Sequence, residues 1–494
     1  VGEWEQATRA AAHVEDRTGT NVDQLAARLA HIVGESHVLV EPEITASYEV
    51  DWTGRWRGAA RLVARPGSAD EVSRTVVACA AAGAPIVPQG GNTGLVGGGV
   101  PVGVAGAVVL SLRRLAWFGP VDPVAGQVVV GAGATLAEVQ RHAQAAGWAL
   151  GLDFAARDSA TIGGAVATNA GGEQVLRYGT ARGQVTELEA VLADGRILSR
   201  PRLGGGAAAA GGSRPAGSQG LVKDSAGYDL PGLLAGSEGT LAILTAVRLR
   251  LVPMLPARVV ALLGVADTAA AQRVLSAARR RLTTLTSAEL VHADGLALVR
   301  EHGGLPAPLR AEHPTYLLLE CAGWEDPTEA LAAALAGLPE IREVAVASDP
   351  VGRAGLWRYR EALPEAINAA GTPVKLDVAV PPTALPAAEG AIRRAVAAVG
   401  PSTRTILFGH LAEANLHVNI LDALPVAEEV TDAVLQVVTE LGGSISAEHG
   451  VGRAKSRWLG LSRSPVEIAT MRAIKSALDP AGLLNPGALL PPPS

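Results

Sequence analysis

Between Pro85 and Pro101 the chain reads PIVPQGGNTGLVGGGVP, a run of glycine and small polar residues that begins right after the apolar pair Ile86-Val87. The preceding SADEVSRTVVACAAAG carries a helical pattern, so the run is expected where a strand opens into a loop. Glycine adopts positive φ without steric cost. Gly90, Gly91 and Gly94, with Asn92 and Thr93 between them, can therefore turn successive amides toward one anion, and a diphosphate fits such a loop. The two common phosphate loops are excluded: no Gly-Lys-Ser/Thr follows, and no G-x-G-x-x-G opens a helix after the first strand. A glycine-rich loop alone is often only a turn, so its meaning depends on the rest of the chain.

A second block, DSATIGGAVATNAGGEQVLRYGTARG, alternates the small residues Ser159, Gly163, Gly164, Thr168, Asn169, Gly171 and Gly172 with apolar ones. A packed helix does not use so little side chain, whereas a backbone lying against a flat ligand does, because amides can then approach ring and phosphate oxygens closely. VTELEAVLADGRIL reads as a hairpin turning at Asp194-Gly195, and Glu238-Gly239 breaks a helix-like segment from the strand after it.

Chemistry of another kind sits near the C-terminal end. FGHLAEANLHVNI reads as strand: Leu416, Val418 and Ile420 alternate with His417 and Asn419, which then share the opposite face. GGSISAEHGVG reads as a second apolar-alternating strand that ends in Glu448-His449 and breaks at Gly450. His410, His417 and Glu448, with His449 adjacent, resemble a metal site with a base beside it; two imidazoles and a carboxylate suit zinc, manganese or iron and leave open positions for substrate oxygens. Only ten histidines occur in 494 residues, so three in so short a span is informative.

The chain is long enough for two or three domains with proper cores. A net charge of −6 provides no basic stripe for nucleic acid. Two cysteines, Cys79 and Cys321, cannot make a disulfide framework and suit buried thiols in a reducing compartment. No apolar run reaches the ~18 to 20 residues of a membrane span, and the N-terminal stretch lacks an export pattern, so a cytoplasmic location is expected.

The glycine-rich blocks resemble the flavin-binding domain of the vanillyl-alcohol-oxidase, or p-cresol-methylhydroxylase, type. GHLAEANLHVN, ISAEHGVG and ALDPAGLLNPG are similar to the FAD-linked D-2-hydroxy acid dehydrogenases of the D-2-hydroxyglutarate and D-lactate branch, and the resemblance covers roughly residues 40 to 490. It implies FAD contacts at Pro88, Leu95, Ile162, Tyr178, Gly179, Glu238, Gly239 and Ile243 besides the small residues above, with Asn485 meeting the ring edge. FAD is expected to be non-covalent, since no histidine lies between His37 and His142 to tether it. His410, His417 and Glu448 are the implied ligands of a divalent metal, zinc first, and His449 the base. Arg360, Lys375 and Asn419 match substrate-binding positions. The family's Asp-Gly-Asn between the two ligand histidines is Glu413-Ala414-Asn415 here, and Pro364 stands where a hydroxyl residue can occur.

The implied fold is α+β: a helical lead-in over 1–50, a two-lobed FAD domain over 51–253 with a mobile insertion at 201–220, an antiparallel-sheet substrate or cap domain over 254–470, and a segment over 471–494 that returns to the FAD. The expected reaction is oxidation of a D-2-hydroxy acid, D-2-hydroxyglutarate favoured. D-lactate or glycolate oxidation, an alkylglycerone-phosphate-synthase-like FAD transferase and a non-catalytic flavin scaffold are the alternatives. An electron-transfer flavoprotein, a quinone or a cytochrome all remain open as electron acceptor, as does a homodimer.

Overall fold

A computed structural model describes residues 19–199 and 220–491. The expected insertion at 201–220, apart from Gly220, and the first part of the lead-in lie outside the described residues. Among the described residues the strands form three sheets.

The first sheet contains β1 (Val38–Leu39), β2 (Leu62–Ala64), β3 (Ile86–Gln89) and β4 (Val108–Ser111), in the order β1-β2-β4-β3 with the last three parallel. The helix Ala69–Ala81 covers it. Its start is fixed by Ser68, whose hydroxyl accepts from the Glu71 amide at 3.1 Å, and by Asp70 and Glu71 in the first turn. β3 delivers the chain into the glycine-rich run at Gln89, as the sequence predicts.

In the second sheet, β5 (Gln127–Gly131), β7 (Val185–Val191), β8 (Ile197–Leu198) and β9 (Ile243–Pro253) run antiparallel in the order β5-β9-β7-β8, and β6 (Trp148–Leu150) joins β9. β7 and β8 are the expected hairpin, with Gly195 at φ 85° in its turn.

The third sheet contains β10 (Ala257–Val265), β11 (Leu285–His292), β12 (Thr315–Gly323), β13 (Glu343–Ala347), β14 (Val374–Ala379), β15 (Arg404–His410) and β16 (Asn415–Leu421). It is antiparallel throughout, in the order β13-β10-β12-β11-β15-β16-β14. Helices cover both faces. On one, Leu290, Leu317, Leu376, Leu407, Leu416 and Val418 pack with Val274, Ile392 and Val434 of the helices Thr268–Arg281, Leu385–Val399 and Ala427–Glu440. On the other, Leu262, Leu318, Ile406 and Phe408 meet Trp357 and Ile367.

Because side chains alternate along a strand, putting Leu290, Leu407, Leu416, Val418 and Leu376 on the first face sends Glu289, Phe408, His410, His417, Asn419, Lys375 and Asp377 to the second. Strand register then aligns them. Glu289 opposes His410, Phe408 opposes His417, and His417 and Asn419 oppose Asp377 and Lys375. A one-residue slip of β16 would carry His417 and Asn419 into the apolar core, so the leucines and valines on its other face fix the site.

The C-terminal segment returns to the first sheet. After the helix Pro465–Leu478, the Ile86 amide donates to Leu483 O at 2.9 Å and the Asn485 amide to Ile86 O at 2.8 Å, so Leu483–Asn485 runs beside β3.

The reading of GGSISAEHGVG as a strand is corrected. Ser444 alone bridges to Ala379, and the segment is otherwise a loop. The loop is ordered by a side chain: Asp377 Oδ2 accepts the amides of Ala447, Glu448 and His449 at 3.1, 2.8 and 3.0 Å.

Candidate active site

One cavity of about 960 Å³ receives the glycine-rich loops from one side and the polar face of the third sheet from the other. Its wall includes His410, His417, Glu448 and His449, together with Arg360, Lys375 and Asn419. All seven residues that the sequence suggested for metal, base and substrate are thus brought together.

The centre of the cluster is Glu448 Oε1. His410 Nε2, His417 Nε2 and His449 Nε2 each lie 3.6 Å from it. Donors bound at ~2.0 to 2.2 Å to one tetrahedral cation sit about 3.3 to 3.6 Å apart, so this spacing fits a divalent ion. Two overlapping donor sets share His417 and Glu448, one adding His410 and the other Asp377 and His449. The first is the better cation site. Asp377 Oδ2 is committed to three backbone amides, and the Asp377 oxygens lie 3.7 Å from the Nδ1 atoms of His417 and His449, behind the rings rather than in front of Nε2. Asp377 is therefore a support for the rings and for the loop that carries Glu448. Glu289 supports His410 in the same way, its Oε1 lying 2.6 Å from Nδ1.

The electrostatics agree with this arrangement. Burial, reinforced by the charges of His410 and Arg360 and opposed by Glu448 and Asp377, lowers the His417 pKa to about 3, leaving a neutral imidazole with a lone pair to donate. Burial works against a charged His410, but Glu289 and Glu448 outweigh it and raise that imidazole well above its usual range. Burial would raise Glu448, yet the three histidines hold it below the ordinary carboxylate range. The same two carboxylates, Glu289 and Glu448, favour positive charge at this point of the cavity.

Arg360 is buried, unlike its helix neighbour Glu361. Its Nε donates to Glu289 Oε2 at 2.8 Å and its guanidinium lies 4.6 Å from the Phe408 ring centroid. Lys375 Nζ lies 5.5 Å from the Trp52 ring centroid, and burial lowers its pKa. Among the described residues it has no ion-pair partner, so the cavity presents a cation that awaits an anion.

The cofactor side is more mixed. Pro88, Gly90, Gly91, Asn92, Thr93, Gly94 and Leu95 all line the cavity, as do Ser159, Gly163, Gly164, Thr168, Gly171 and Gly172, and Glu238, Gly239 and Ile243 complete that wall. Gly94 behaves as expected of a cradle, since a Cβ there would meet no atom within 4 Å and would enter open space. Several other glycines are required for a different reason than closeness to a ligand. A Cβ on Gly91 would lie 2.0 Å from Ser159 O, and one on Gly172, at φ 131°, 2.1 Å from Asp153 O. These glycines let the loops pack on each other and thereby shape the cavity.

Ile162, Asn169, Tyr178, Gly179 and Asn485 do not line the cavity. Ile162 is in the core, and Asn169, at φ 52°, accepts from the Arg182 amide. Gly179, at φ 75°, ends the short helix Val175–Tyr178. Asn485 is engaged within the chain: its side-chain amide donates to Gly98 O at 2.9 Å and Glu238 O at 2.7 Å, and Arg453 holds its Oδ1, so it fastens the glycine loop to the Glu238 turn. The Glu238 carboxylate is likewise occupied, accepting the amides of Val451 and Gly452.

Sequence reasoning missed Asp377 and Glu289. Asp377 was legible: in VKLDVAV it alternates in phase with Lys375. Glu289 gives no local signal, because only the pairing of β11 with β15 places it against His410.

Comparison with known proteins defines the class: the chain is an FAD-binding oxidoreductase with the fold of p-cresol methylhydroxylase. Residues 60–199 match the FAD binding domain family and residues 254–489 the C-terminal domain of FAD linked oxidases. The structure is similar to p-cresol methylhydroxylase (TM-score 0.71, 17% identity, 96% of this chain and 98% of that one) and to alkyldihydroxyacetonephosphate synthase (0.69, 16%, 94% and 85%), which shows the shared fold. The chain belongs to the FAD-linked oxidase family. Its relatives there include a D-2-hydroxyglutarate dehydrogenase of Xanthomonas citri pv. viticola, 38% identical over 91% of this chain and 93% of the relative, and the mitochondrial D-2-hydroxyglutarate dehydrogenase of Bos taurus, 36% identical over 95% and 84%.

Proposed function

We propose that the chain is an FAD- and divalent-metal-dependent dehydrogenase that oxidises a D-2-hydroxy acid to the 2-oxo acid, with D-2-hydroxyglutarate the favoured substrate. The observation that carries this reading is the convergence of three imidazole Nε2 atoms on Glu448 Oε1, in one cavity with two cationic side chains and the glycine-rich loops. When bound, FAD supplies the hydride acceptor, and a divalent cation, zinc before manganese or iron, supplies a Lewis acid that lowers the substrate hydroxyl's pKa. His410, His417 and Glu448 would hold that cation.

The chain's own groups do the rest. His449, the most exposed of the three imidazoles with 29% of its side chain accessible, takes the hydroxyl proton at Nε2, while Asp377, 3.7 Å from Nδ1, stabilises the imidazolium that forms. Arg360, with Nε occupied by Glu289, offers its terminal N–H groups to a substrate carboxylate, and Lys375 and Asn419 offer further donors across β14 and β16. Two cationic groups exceed what a monocarboxylate needs, and the D-2-hydroxyglutarate dehydrogenases among the relatives point the same way. Oxidation of D-lactate or glycolate is the second reading. It is favoured by Pro364, which lines the cavity one turn beyond Arg360 and has no hydrogen to donate.

In anaerobic mixing with D-2-hydroxyglutarate, D-malate, D-lactate and glycolate, D-2-hydroxyglutarate should bleach the flavin at the lowest concentration. Lys375→Ala should weaken that substrate by roughly 30-fold or more, the cost of about 2 kcal/mol or above for stranding a buried charge. If D-lactate reacts best and Lys375→Ala leaves the order unchanged, the dicarboxylate reading fails and the dehydrogenase stands. The same panel tests the transferase alternative, because a protein that performs no net oxidation would leave the flavin yellow with every acid.

FAD is held without a covalent bond in this reading. The histidines that line the cavity are those of the Glu448 cluster, and both cysteines are buried away from it. Acid precipitation should give a colourless pellet under a yellow supernatant; colour retained in the washed pellet would overturn the assignment. Among the described residues no helix is long and apolar enough to cross a membrane. Two free buried thiols suit a reducing compartment such as the cytoplasm.

A further inference from the structure

Glu173 follows Gly171 and Gly172 at the turn where the second glycine-rich block enters the helix Val175–Tyr178. Its backbone is pinned between the two halves of the molecule. The amide donates to Asp153 O at 3.2 Å and the carbonyl accepts from Ser287 Oγ, on β11, at 2.6 Å. Glu173 lines the same cavity as Arg360, and its side chain, among the described residues, has neither a hydrogen-bond nor an ion-pair partner.

The charges around it are unevenly distributed. Glu289 is already shared between His410 and Arg360, and Asp153 is paired with Arg157 at 3.0 Å. Glu361, next to Arg360 on the helix Pro350–Glu361, is exposed. Burial first, and then the negative charges of Glu289, Asp153 and Glu361 against the opposing pull of Arg360, raises the Glu173 pKa to about 8. Arg360 has its Nε committed to Glu289, and its charge is felt at Glu173; Glu361 and Glu365 also line the cavity, but both are exposed, whereas Glu173 is only partly so.

We infer that Glu173 is a specificity-determining residue of the substrate site. In its protonated form it donates a hydrogen bond to a substrate carboxylate held by Arg360, and in its ionised form it competes with that carboxylate for the guanidinium. The inference rests on the dehydrogenase reading above and deepens it. Glu173 supplies the donor that Pro364 lacks, and it makes capture of a doubly charged acid more sensitive to pH than capture of a singly charged one.

The test is KM for D-2-hydroxyglutarate and for D-lactate, measured with the FAD- and metal-replete enzyme between about pH 6.5 and about pH 9.5, in wild type, Glu173→Gln and Glu173→Leu. In wild type, KM for the dicarboxylate should climb toward roughly tenfold per pH unit above the carboxyl's pKa, with a shallower rise for D-lactate. Glu173→Gln keeps a donor that cannot ionise and should flatten the climb. Glu173→Leu should give a raised KM already at the acid end. Lys375 titrates in all three proteins, so the difference between them isolates Glu173. If wild type and Glu173→Gln climb together, or if Glu173→Gln is as weak as Glu173→Leu throughout, the inference is overturned while the dehydrogenase stands. A flat wild-type profile overturns it without any variant. If no D-2-hydroxy acid reduces the flavin at any pH, the dehydrogenase reading itself fails and takes this inference with it.

Discussion

A chelator that strips divalent ions should abolish turnover and leave the flavin spectrum in place, and His417→Ala should reproduce the effect in untreated protein. The donors for the cation come from β15, β16 and the Asp377-ordered loop, whereas the glycine-rich cradle belongs to the first two sheets, so one can be lost without the other. His417 is the most exposed to this test. It lies between Glu448 at 3.6 Å on its Nε2 side and Asp377 at 3.7 Å on its Nδ1 side, and an alanine there leaves two buried carboxylates facing a gap. A Lewis acid contributes several kcal/mol to such a reaction, so a loss on the order of 10³-fold is expected. Elemental analysis should find about one divalent ion per chain in wild type and much less in the variant. Full turnover by a chelated sample with no detectable metal would refute the ligand assignment.

The second large effect is expected at His449. Replacing it by alanine should lower turnover by roughly 10²- to 10⁴-fold, with FAD content and melting temperature near wild type, because the ring is the least buried of the three and its backbone amide still binds Asp377. His449 stacks on His417, with ring centroids 5.6 Å apart and planes within 17°. Its loss therefore also frees one side of a ligand ring, and metal content must be measured in the same sample. A variant that keeps its metal and still turns over at nearly the wild-type rate would remove His449 from the role of base.

Much of this site could be read from residues alone, and the reason is periodicity. In NLHVNIL the apolar positions are so regular that His417 and Asn419 had to share the other face, and the third sheet confirms it. Lys375 and Asp377 obey the same rule one strand away, although only Lys375 stood out, being one of very few lysines in the chain. What could not be read was pairing between distant segments. Glu289 reaches His410 across 121 residues, and nothing near position 289 announces it. The glycine-rich blocks were legible as cofactor loops but not glycine by glycine: Gly91 and Gly172 are required by neighbouring backbone, a constraint that appears only once the loops are stacked. The GGSISAEHGVG segment misled because its alternation is that of a strand, while its geometry is imposed by a buried aspartate rather than by a ladder of neighbours.

The pairing of Leu483–Asn485 with Ile86 bears on how the chain is made. The core of the first sheet counts Leu483 and Leu484 among its members alongside Ile86, Val108 and Leu110, and Asn485 fastens Gly98 to Glu238. On the ribosome, nearly four hundred residues separate the emergence of β3 from that of its last neighbour. The glycine loop therefore lacks this neighbour throughout the synthesis of both later sheets. Contacts of such long sequence separation are slow to form and leave partly assembled surfaces exposed in the meantime. The contact that fastens the glycine loop is thus among the last that the growing chain can make.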